Sequence, residues 1–141
     1  SLAGFVKAEN GSFKIMLNKK WDANVKLSTL FHELGHLFAG HVGINSESWW
    51  KGRRNLTLEE KEFEAESISY LVCNRLGLET NSDEYLSGYL KSNQQIPNVS
   101  FETILTIAGY IEQMTKKDFK PKKPRPVEEK KKTITRFLHN R

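Results

Sequence analysis

One pentapeptide constrains this chain more than any other feature. His32-Glu33-Leu34-Gly35-His36 is an HExxH sequence. On an α-helix, residues four apart lie on the same face, with Cβ atoms about 5–6 Å from one another. Two imidazoles at that spacing can bind one zinc ion, and the glutamate beside them can act as a general base. The sequence therefore predicts a metal centre built on a helix, with His32 and His36 as ligands and Glu33 as the catalytic residue.

The residues around the pentapeptide support a helix. Apolar side chains recur there at helical spacing, which predicts an amphipathic helix over about residues 28–39. They are Leu27, Leu30, Phe31, Leu34, Leu37 and Phe38. Ser28 or Thr29 is the predicted N-cap, and Gly40 and Gly43 are predicted to end the helix. Both histidines would then lie in its second and third turns.

A third metal ligand has to come from elsewhere, because catalytic zinc sites usually have three protein ligands and one open position. The candidates are Glu62, Glu64 and Glu66, all on a predicted second long helix. At about 100° per residue, Glu62 and Glu66 point to nearly the same side, and Glu64 points away from both. We favour Glu62 as the ligand and Glu66 as a carboxylate bonded to a ligand histidine, and the reverse assignment stays open. Glu64 is predicted to be a solvated charge.

Four other residues near or beyond the motif receive lesser roles. His41 is offset by one residue from the third histidine of the longer HExxHxxGxxH pattern, so we do not assign it as a ligand and expect it to be solvated. His139 lies in the C-terminal tail and is not expected to bind metal. Trp49 and Trp50 are predicted to pack in the core rather than to cover a cleft.

The remaining pattern predicts an α+β domain with a small hairpin and about four helices. Asn10-Gly11 is a strong hairpin turn signal between two short strands. Thr57-Leu58-Glu59-Glu60 is a capping box that predicts the start of the second long helix. The predicted elements besides the first helix are strands at 5–8 and 13–17 and helices at about 58–76, 82–91 and 101–115.

Charge is distributed unevenly along the chain. Residues 116–141 carry a net charge of +8, whereas residues 1–115 carry −3. We therefore divide the chain into a globular domain, 1–115, and a basic Lys/Pro-rich tail, 116–141, in which residues 127–139 are compatible with a marginal helix. Weak nucleic-acid contact through the tail is one interpretation. A solvated terminus is favoured, because the tail is short and lacks interleaved aromatic residues.

The cysteine count and the hydropathy of the chain indicate the cellular compartment. Cys73 is the only cysteine, so the chain has no internal disulfide and no zinc site of the multi-cysteine kind. No apolar run approaches the roughly 18 residues that a membrane-spanning helix needs. We therefore expect a cytoplasmic protein without membrane contact.

Two segments in combination resemble a known family. They are Thr29-Leu30-Phe31-His32-Glu33-Leu34-Gly35-His36 and Glu62-Phe63-Glu64-Ala65-Glu66-Ser67-Ile68-Ser69-Tyr70-Leu71-Val72. Over roughly residues 5–115 the chain resembles the ImmA/IrrE-type zincin-like metallopeptidases and the related peptidase domain of ArdC-type antirestriction proteins. The resemblance implies a gluzincin fold, a bound zinc ion and a cytoplasmic bacterial, plasmid or phage setting. The family's Glu-x-x-Ala-Asn/Asp/Glu pattern falls on Glu62 to Glu66.

The resemblance also implies an activity. Some family members cleave a helix-turn-helix repressor, whereas ArdC-type proteins carry a separate single-stranded-DNA-binding domain. Cys73-Asn74-Arg75-Leu76-Gly77-Leu78 stands where the family usually has Leu-Met-Pro, which is nearer the ArdC-like branch. We expect a zinc-dependent endopeptidase acting on a protein substrate, with Glu33 as the base that deprotonates a metal-activated water. The alternatives are a DNA-associated antirestriction-type module and an inactive interaction domain on a zincin scaffold.

Overall fold

A β-hairpin and four helices make up the part of the chain that the computed structural model describes, which is residues 2–80, 82–92 and 95–126. The strands are β1 (Gly4–Glu9) and β2 (Ser12–Leu17), and the helices are α1 (Ala23–Phe38), α2 (Leu58–Arg75), α3 (Ser82–Lys91) and α4 (Phe101–Met114). The predicted α+β class is confirmed. Among the described residues, no helix is both long and apolar enough to span a bilayer.

The hairpin forms where its turn signal predicts it. Asn10 and Gly11 both have positive φ, 50° and 75°. Two such residues form the tight turn whose twist matches that of the antiparallel strands. Gly4 pairs with Leu17 at the open end of the ladder. Phe13 of β2 packs against the ring of Trp50, with centroids 5.8 Å apart, so the hairpin is fastened to the core of the domain.

Helix α1 begins earlier than predicted. Its N-cap is Asp22, whose carboxylate accepts a hydrogen bond from the Val25 backbone N–H at 2.9 Å. The predicted caps, Ser28 and Thr29, lie inside the helix, and the Ser28 hydroxyl donates back to the Val25 carbonyl at 3.0 Å. Nothing between Asp22 and Ser28 breaks a helix, and an aspartate is as good a cap as a serine. The extra turns place the two histidines in the third and fourth turns of α1.

Helices α1 and α2 approach closely through small residues. A Cβ atom on Gly35 would lie 3.4 Å from the Cα of Ala65 and from the side chain of Ile68. The Ser69 hydroxyl donates to the Ser28 carbonyl of α1 at 2.9 Å. The two helices are therefore in close contact at Ser69, and Gly35 with Ala65 extends this contact towards the two histidines.

The apolar core lies where α1, α2 and α4 meet the loop between α1 and α2. Its buried residues are Phe31, Leu37, Phe38, Ala39, Trp50, Ile68, Val72, Cys73, Ile104, Ile107, Ala108 and Ile111. Phe38 contacts the rings of both Trp49 and Trp50, each with centroids 5.3 Å away. The Trp50 indole N–H donates to the Gly43 carbonyl at 2.9 Å. Both tryptophans thus pack in the core, as predicted.

The described start of the basic tail lies against the globular part of the chain. Phe119 packs on Tyr110 of α4, with ring centroids 5.5 Å apart. The Lys122 ammonium lies over the Trp49 ring at 4.5 Å from its centroid. The Arg125 backbone N–H donates to the Ser48 carbonyl at 3.1 Å. Residues 120–126 are in neither helix nor strand, and the marginal helix predicted at 127–139 lies outside the described residues.

Candidate metal centre

Three side chains from two helices bring their ligating atoms together. The Nε2 atoms of His32 and His36 on α1 are 3.0 Å apart. Glu62 on α2 lies opposite them, with one carboxylate oxygen 3.3 Å from His32 Nε2 and the other 3.0 Å from His36 Nε2. Among the described residues, these three form a group that could hold one metal ion.

The spacing of this group fits a small divalent cation. Ligand atoms on a tetrahedron with bonds of about 2.0–2.1 Å are about 3.3 Å from one another. The observed separations of 3.0–3.3 Å are close to that value. Two imidazole nitrogens and one carboxylate oxygen form a ligand set that zinc takes, although other first-row divalent ions accept it too.

Glu66 contacts the other nitrogen of His32. Its Oε1 lies 2.8 Å from His32 Nδ1, the ring atom directed away from Glu62 and His36. This is an ion-pair distance, but the direction is not that of a well-formed hydrogen bond. The arrangement favours Glu62 as the ligand and Glu66 as a carboxylate that holds the His32 ring from behind.

These contacts favour a positive charge at the centre. Burial disfavours a charged imidazole, but Glu62 and Glu66 outweigh it and raise the pKa of His32 to about 10. The contacts with His32 and His36 lower the pKa of Glu62, and His32 lowers the pKa of Glu66 against the effect of its burial. Without a metal ion, a proton on His32 offsets part of the charge of the two carboxylates, and a cation bound at Nε2 would displace that proton.

Glu33 lies beside the candidate ligands and is itself buried. Only 6% of its surface is exposed, and it lines the same cleft as His32 and Glu62. Burial raises its pKa above the ordinary value, although His32 and His36 oppose the shift. A carboxylate with a raised pKa is a better proton acceptor near neutral pH, which suits a general base.

The centre opens onto a cleft of about 970 Å³ with an acidic lining. The cleft runs between the start of β1, the first turns of α1, one side of α2 and residues 78–80 and 82–85. Its carboxylates are Asp22, Glu33, Glu62, Glu66, Glu79, Asp83 and Glu84. None of the described residues that line it is a lysine or an arginine. Tyr70 and Tyr85 also line the cleft. Because its charged lining residues are mainly carboxylates, the cleft attracts cations and positively charged side chains.

Two residues that were predicted to be solvated are buried instead. Glu64 is 0% exposed and His41 is 4% exposed. His41 Nε2 lies 2.8 Å from Glu64 Oε1, and His41 Nδ1 lies 2.9 Å from His36 Nδ1. The helical periodicity predicted correctly that Glu64 points away from Glu62 and Glu66. It could not show that the loop after α1 and the start of α4 cover that side of α2.

Arg53 and Ser100 complete the surroundings of Glu64 and were not singled out from the sequence. The Arg53 guanidinium and the Ser100 backbone N–H both donate to Glu64 Oε2, at 2.8 Å and 3.1 Å. Burial alone would raise the pKa of Glu64, but its bonds to His41 and Arg53 bring it down to about 2. Burial lowers the pKa of His41. Glu64 is therefore a fixed negative charge with three donors directed at it.

Gly40 is the sequence signal that points to this arrangement. Its φ is +79°, and a Cβ atom there would lie 1.9 Å from the Lys51 carbonyl oxygen. Only glycine lets the chain segment before Arg53 pass so close to the end of α1. The Arg53 side chain then donates to the Ala39 carbonyl at 3.1 Å. Gly40 was predicted only to end the helix, but its lack of a side chain also lets Arg53 lie next to Glu64.

Comparison with known proteins identifies no relative. No protein-family model, no curated protein and no solved structure matches the chain. What the protein does therefore has to be inferred from the chemistry of the site.

Proposed function

We propose that this protein is a zinc-dependent endopeptidase. His32, His36 and Glu62 would hold the metal, and Glu33 would be the general base. The observation that carries the proposal is the convergence of the His32 and His36 Nε2 atoms, 3.0 Å apart, with the Glu62 carboxylate, which has one oxygen within 3.0–3.3 Å of each nitrogen. Glu33 lines the same cleft as His32 and Glu62. Zinc, when bound, supplies Lewis-acid activation of water and of the scissile carbonyl.

The protein's own residues handle the proton. The Glu33 carboxylate accepts a proton from the attacking water and later delivers it to the leaving amine. Its burial favours this role, because burial raises the pKa of Glu33 and a carboxylate with a raised pKa is a better proton acceptor. His32 and His36 would both present Nε2 to the metal, and each has a neighbour close to its Nδ1 on the far side. The ligands are thereby kept in one orientation.

The charge of the cleft supports a cationic peptide segment as the substrate. Asp22, Glu79, Asp83 and Glu84 line the cleft outside the metal group and are exposed. Carboxylates at such a mouth favour lysine and arginine side chains and repel phosphates. A regulatory protein with a basic DNA-binding surface would meet this requirement, and a repressor is the substrate class that the resemblance to the ImmA/IrrE-type family implies.

Substitution of the base tests the proposal. The zinc-loaded wild type should cleave members of a mixed peptide library, with a preference for Lys/Arg-rich sequences, as followed by mass spectrometry. Glu33→Gln should bind one zinc ion per chain and cleave nothing. Glu102→Gln, the same chemical change at an exposed position of α4, is the matched control and should cleave like the wild type. Proteolysis by Glu33→Gln, or none by the zinc-loaded wild type, would contradict the proposal.

A DNA-associated role is the second candidate, and the net charge of +8 in residues 116–141 favours it. Because the lining of the cleft is acidic, such binding would use the tail and not the cleft. Deletion of 127–141 removes a net charge of +3 from this total and spares the contacts of Phe119 and Lys122 with the domain. Single-stranded-DNA binding that falls steeply with salt and is weakened by this deletion would support the role. No binding at low salt would eliminate it.

A further inference from the structure

We propose that His41 and Glu64 are positioning residues that fix the ring and the proton of His36, so that the lone pair of its Nε2 faces the metal centre. The inference rests on the proposed metal centre. It concerns residues that do not line the cleft, since His41 and Glu64 are both buried. We call His41, Glu64 and Arg53 the buried relay.

The buried relay is a continuous chain of short contacts. His36 Nδ1 lies 2.9 Å from His41 Nδ1, His41 Nε2 lies 2.8 Å from Glu64 Oε1, and Glu64 Oε2 lies 2.8 Å from an Arg53 guanidinium nitrogen. The rings of His36 and His41 meet edge to face, with centroids 5.1 Å apart. Each ring is therefore held in position and in orientation.

The positions of the protons follow from the far end of the chain. Glu64 accepts from Arg53 and from the Ser100 backbone N–H, so it is ionised and can only accept. His41 must then carry its proton on Nε2, and because Arg53 already balances Glu64, a neutral His41 leaves a lone pair on Nδ1. That lone pair accepts a hydrogen bond from His36 Nδ1–H. The remaining lone pair of His36 is on Nε2, the atom that faces His32 and Glu62.

The far end of the buried relay is rigidly anchored. Arg53 also donates to the Ala39 carbonyl at the end of α1, and its backbone N–H donates to the Gly40 carbonyl at 2.8 Å. Ser100 is the N-cap of α4. Three separate parts of the chain thus converge on Glu64. A ligand ring held by such partners loses less freedom when it binds a metal, and loss of comparable partners costs about 10–100-fold in metal affinity.

Two substitutions at His41 separate the two ends of its ring. In His41→Asn the amide oxygen occupies roughly the place of Nδ1 and still accepts from His36, but the donor to Glu64 Oε1 is lost. In His41→Gln the amide reaches roughly the place of Nε2 and still donates to Glu64, but His36 loses its acceptor. The zinc dissociation constant, measured by competition with a chromophoric chelator, should rise about 10–100-fold in His41→Gln and stay close to the wild type in His41→Asn.

The unfolding of the metal-free variants separates positioning from mere structural support. We expect the opposite ranking there, with His41→Asn the less stable because Glu64 loses a donor. A zinc affinity that is unchanged in His41→Gln, or that falls in both variants in step with their stability, would overturn the proposal.

A spectroscopic test does not depend on zinc at all. In the metal-free wild type, ¹⁵N NMR should show a scalar coupling through the hydrogen bond between His36 Nδ1 and His41 Nδ1, and His41→Gln should lack it. If the wild type binds no zinc but the coupling is present, the proposed function fails and the ring-fixing role of the buried relay stands. If the wild type binds zinc and the coupling is absent, the buried relay fails alone.

Discussion

Helix α2 has two sides that use the same residue type in opposite ways. Glu62 and Glu66 face the cleft, and their side chains are 38% and 23% exposed. Glu64, between them in sequence, faces the interior and is completely buried. On the cleft side the negative charge is partly offset by a proton on His32, which a metal ion could replace. On the buried side it is balanced permanently by Arg53. The carboxylates that could bind a metal ion are therefore near solvent, and the carboxylate that supports the fold is paired with an arginine in the interior.

The two candidate ligand histidines show the same contrast. His32 has Glu66 behind it at the edge of the cleft, whereas His36 has His41 and then Glu64 behind it in the interior. One ligand therefore has a solvent-accessible partner, and the other is held by a fixed chain of bonds. Substitutions on the cleft side of α2 should mainly lower the metal affinity, and substitutions on the buried side should mainly lower the free energy of unfolding.

The largest effect is expected from Glu62→Ala. This substitution removes the proposed third ligand from the cleft side, and two histidines alone do not complete a catalytic zinc site. Zinc bound per chain after gel filtration, measured by elemental analysis, should fall from about one to near zero. The free energy of unfolding of the metal-free protein should fall less than in Glu64→Ala, because Glu62 is partly exposed and Glu66 still pairs with His32. A variant that keeps its full zinc content would show that Glu62 is not a ligand.

Glu64→Ala should have the converse effect. It leaves Arg53, His41 and the Ser100 N–H without their shared acceptor in the interior. Breaking a buried charge pair typically costs about 3–5 kcal/mol. Urea unfolding of the metal-free variant should show a loss of this order, in contrast to Glu62→Ala. Equal stability of the two variants would erase the proposed difference between the sides of α2.

A smaller effect on metal binding is expected from Glu66→Ala. If Glu66 only holds the His32 ring, its removal should weaken zinc binding by about 10–100-fold and leave the stoichiometry at one. Chelator competition with Glu62→Ala and Glu66→Ala side by side gives the ranking. The reverse ranking would make Glu66 the ligand and Glu62 its supporting carboxylate.

The smallest effect is one of pH. Since the pKa of His32 is raised from 6.5 to about 10 in the folded, metal-free protein, its stabilising contribution is fully present below pH 6.5 and is lost as the pH rises through 10. Stability measured by urea unfolding should therefore decline between these values more steeply in the wild type than in His32→Gln. Glu64→Gln, on the buried side of α2, should keep the wild-type decline at its own lower stability. A parallel decline in His32→Gln would contradict the assignment.

Much of the fold follows from local sequence signals. The Asn10-Gly11 turn and the Thr57 capping box each act within a few residues, and both are present as predicted. The directions of Glu62 and Glu66 relative to Glu64 also follow, because helical periodicity alone sets them. Local signals therefore predicted which elements form and which way their side chains point.

The surroundings of those side chains could not be predicted in the same way. His41 and Glu64 are buried because a loop and the N-terminus of α4, distant in sequence, cover them. Periodicity gives the direction of a side chain but not what it meets there. The α1 start was missed for a different reason, since two plausible caps lay closer to the motif than Asp22 does.

The central claim is that His32, His36 and Glu62 bind one divalent ion together. X-ray absorption spectroscopy of the zinc-loaded protein tests it most directly, because imidazole rings leave a distinct multiple-scattering signal. The account predicts one zinc ion per chain with two imidazole ligands, nitrogen and oxygen neighbours at about 2.0–2.1 Å and no sulfur. A spectrum without imidazole, or with a zinc environment unchanged in Glu62→Ala, would contradict it.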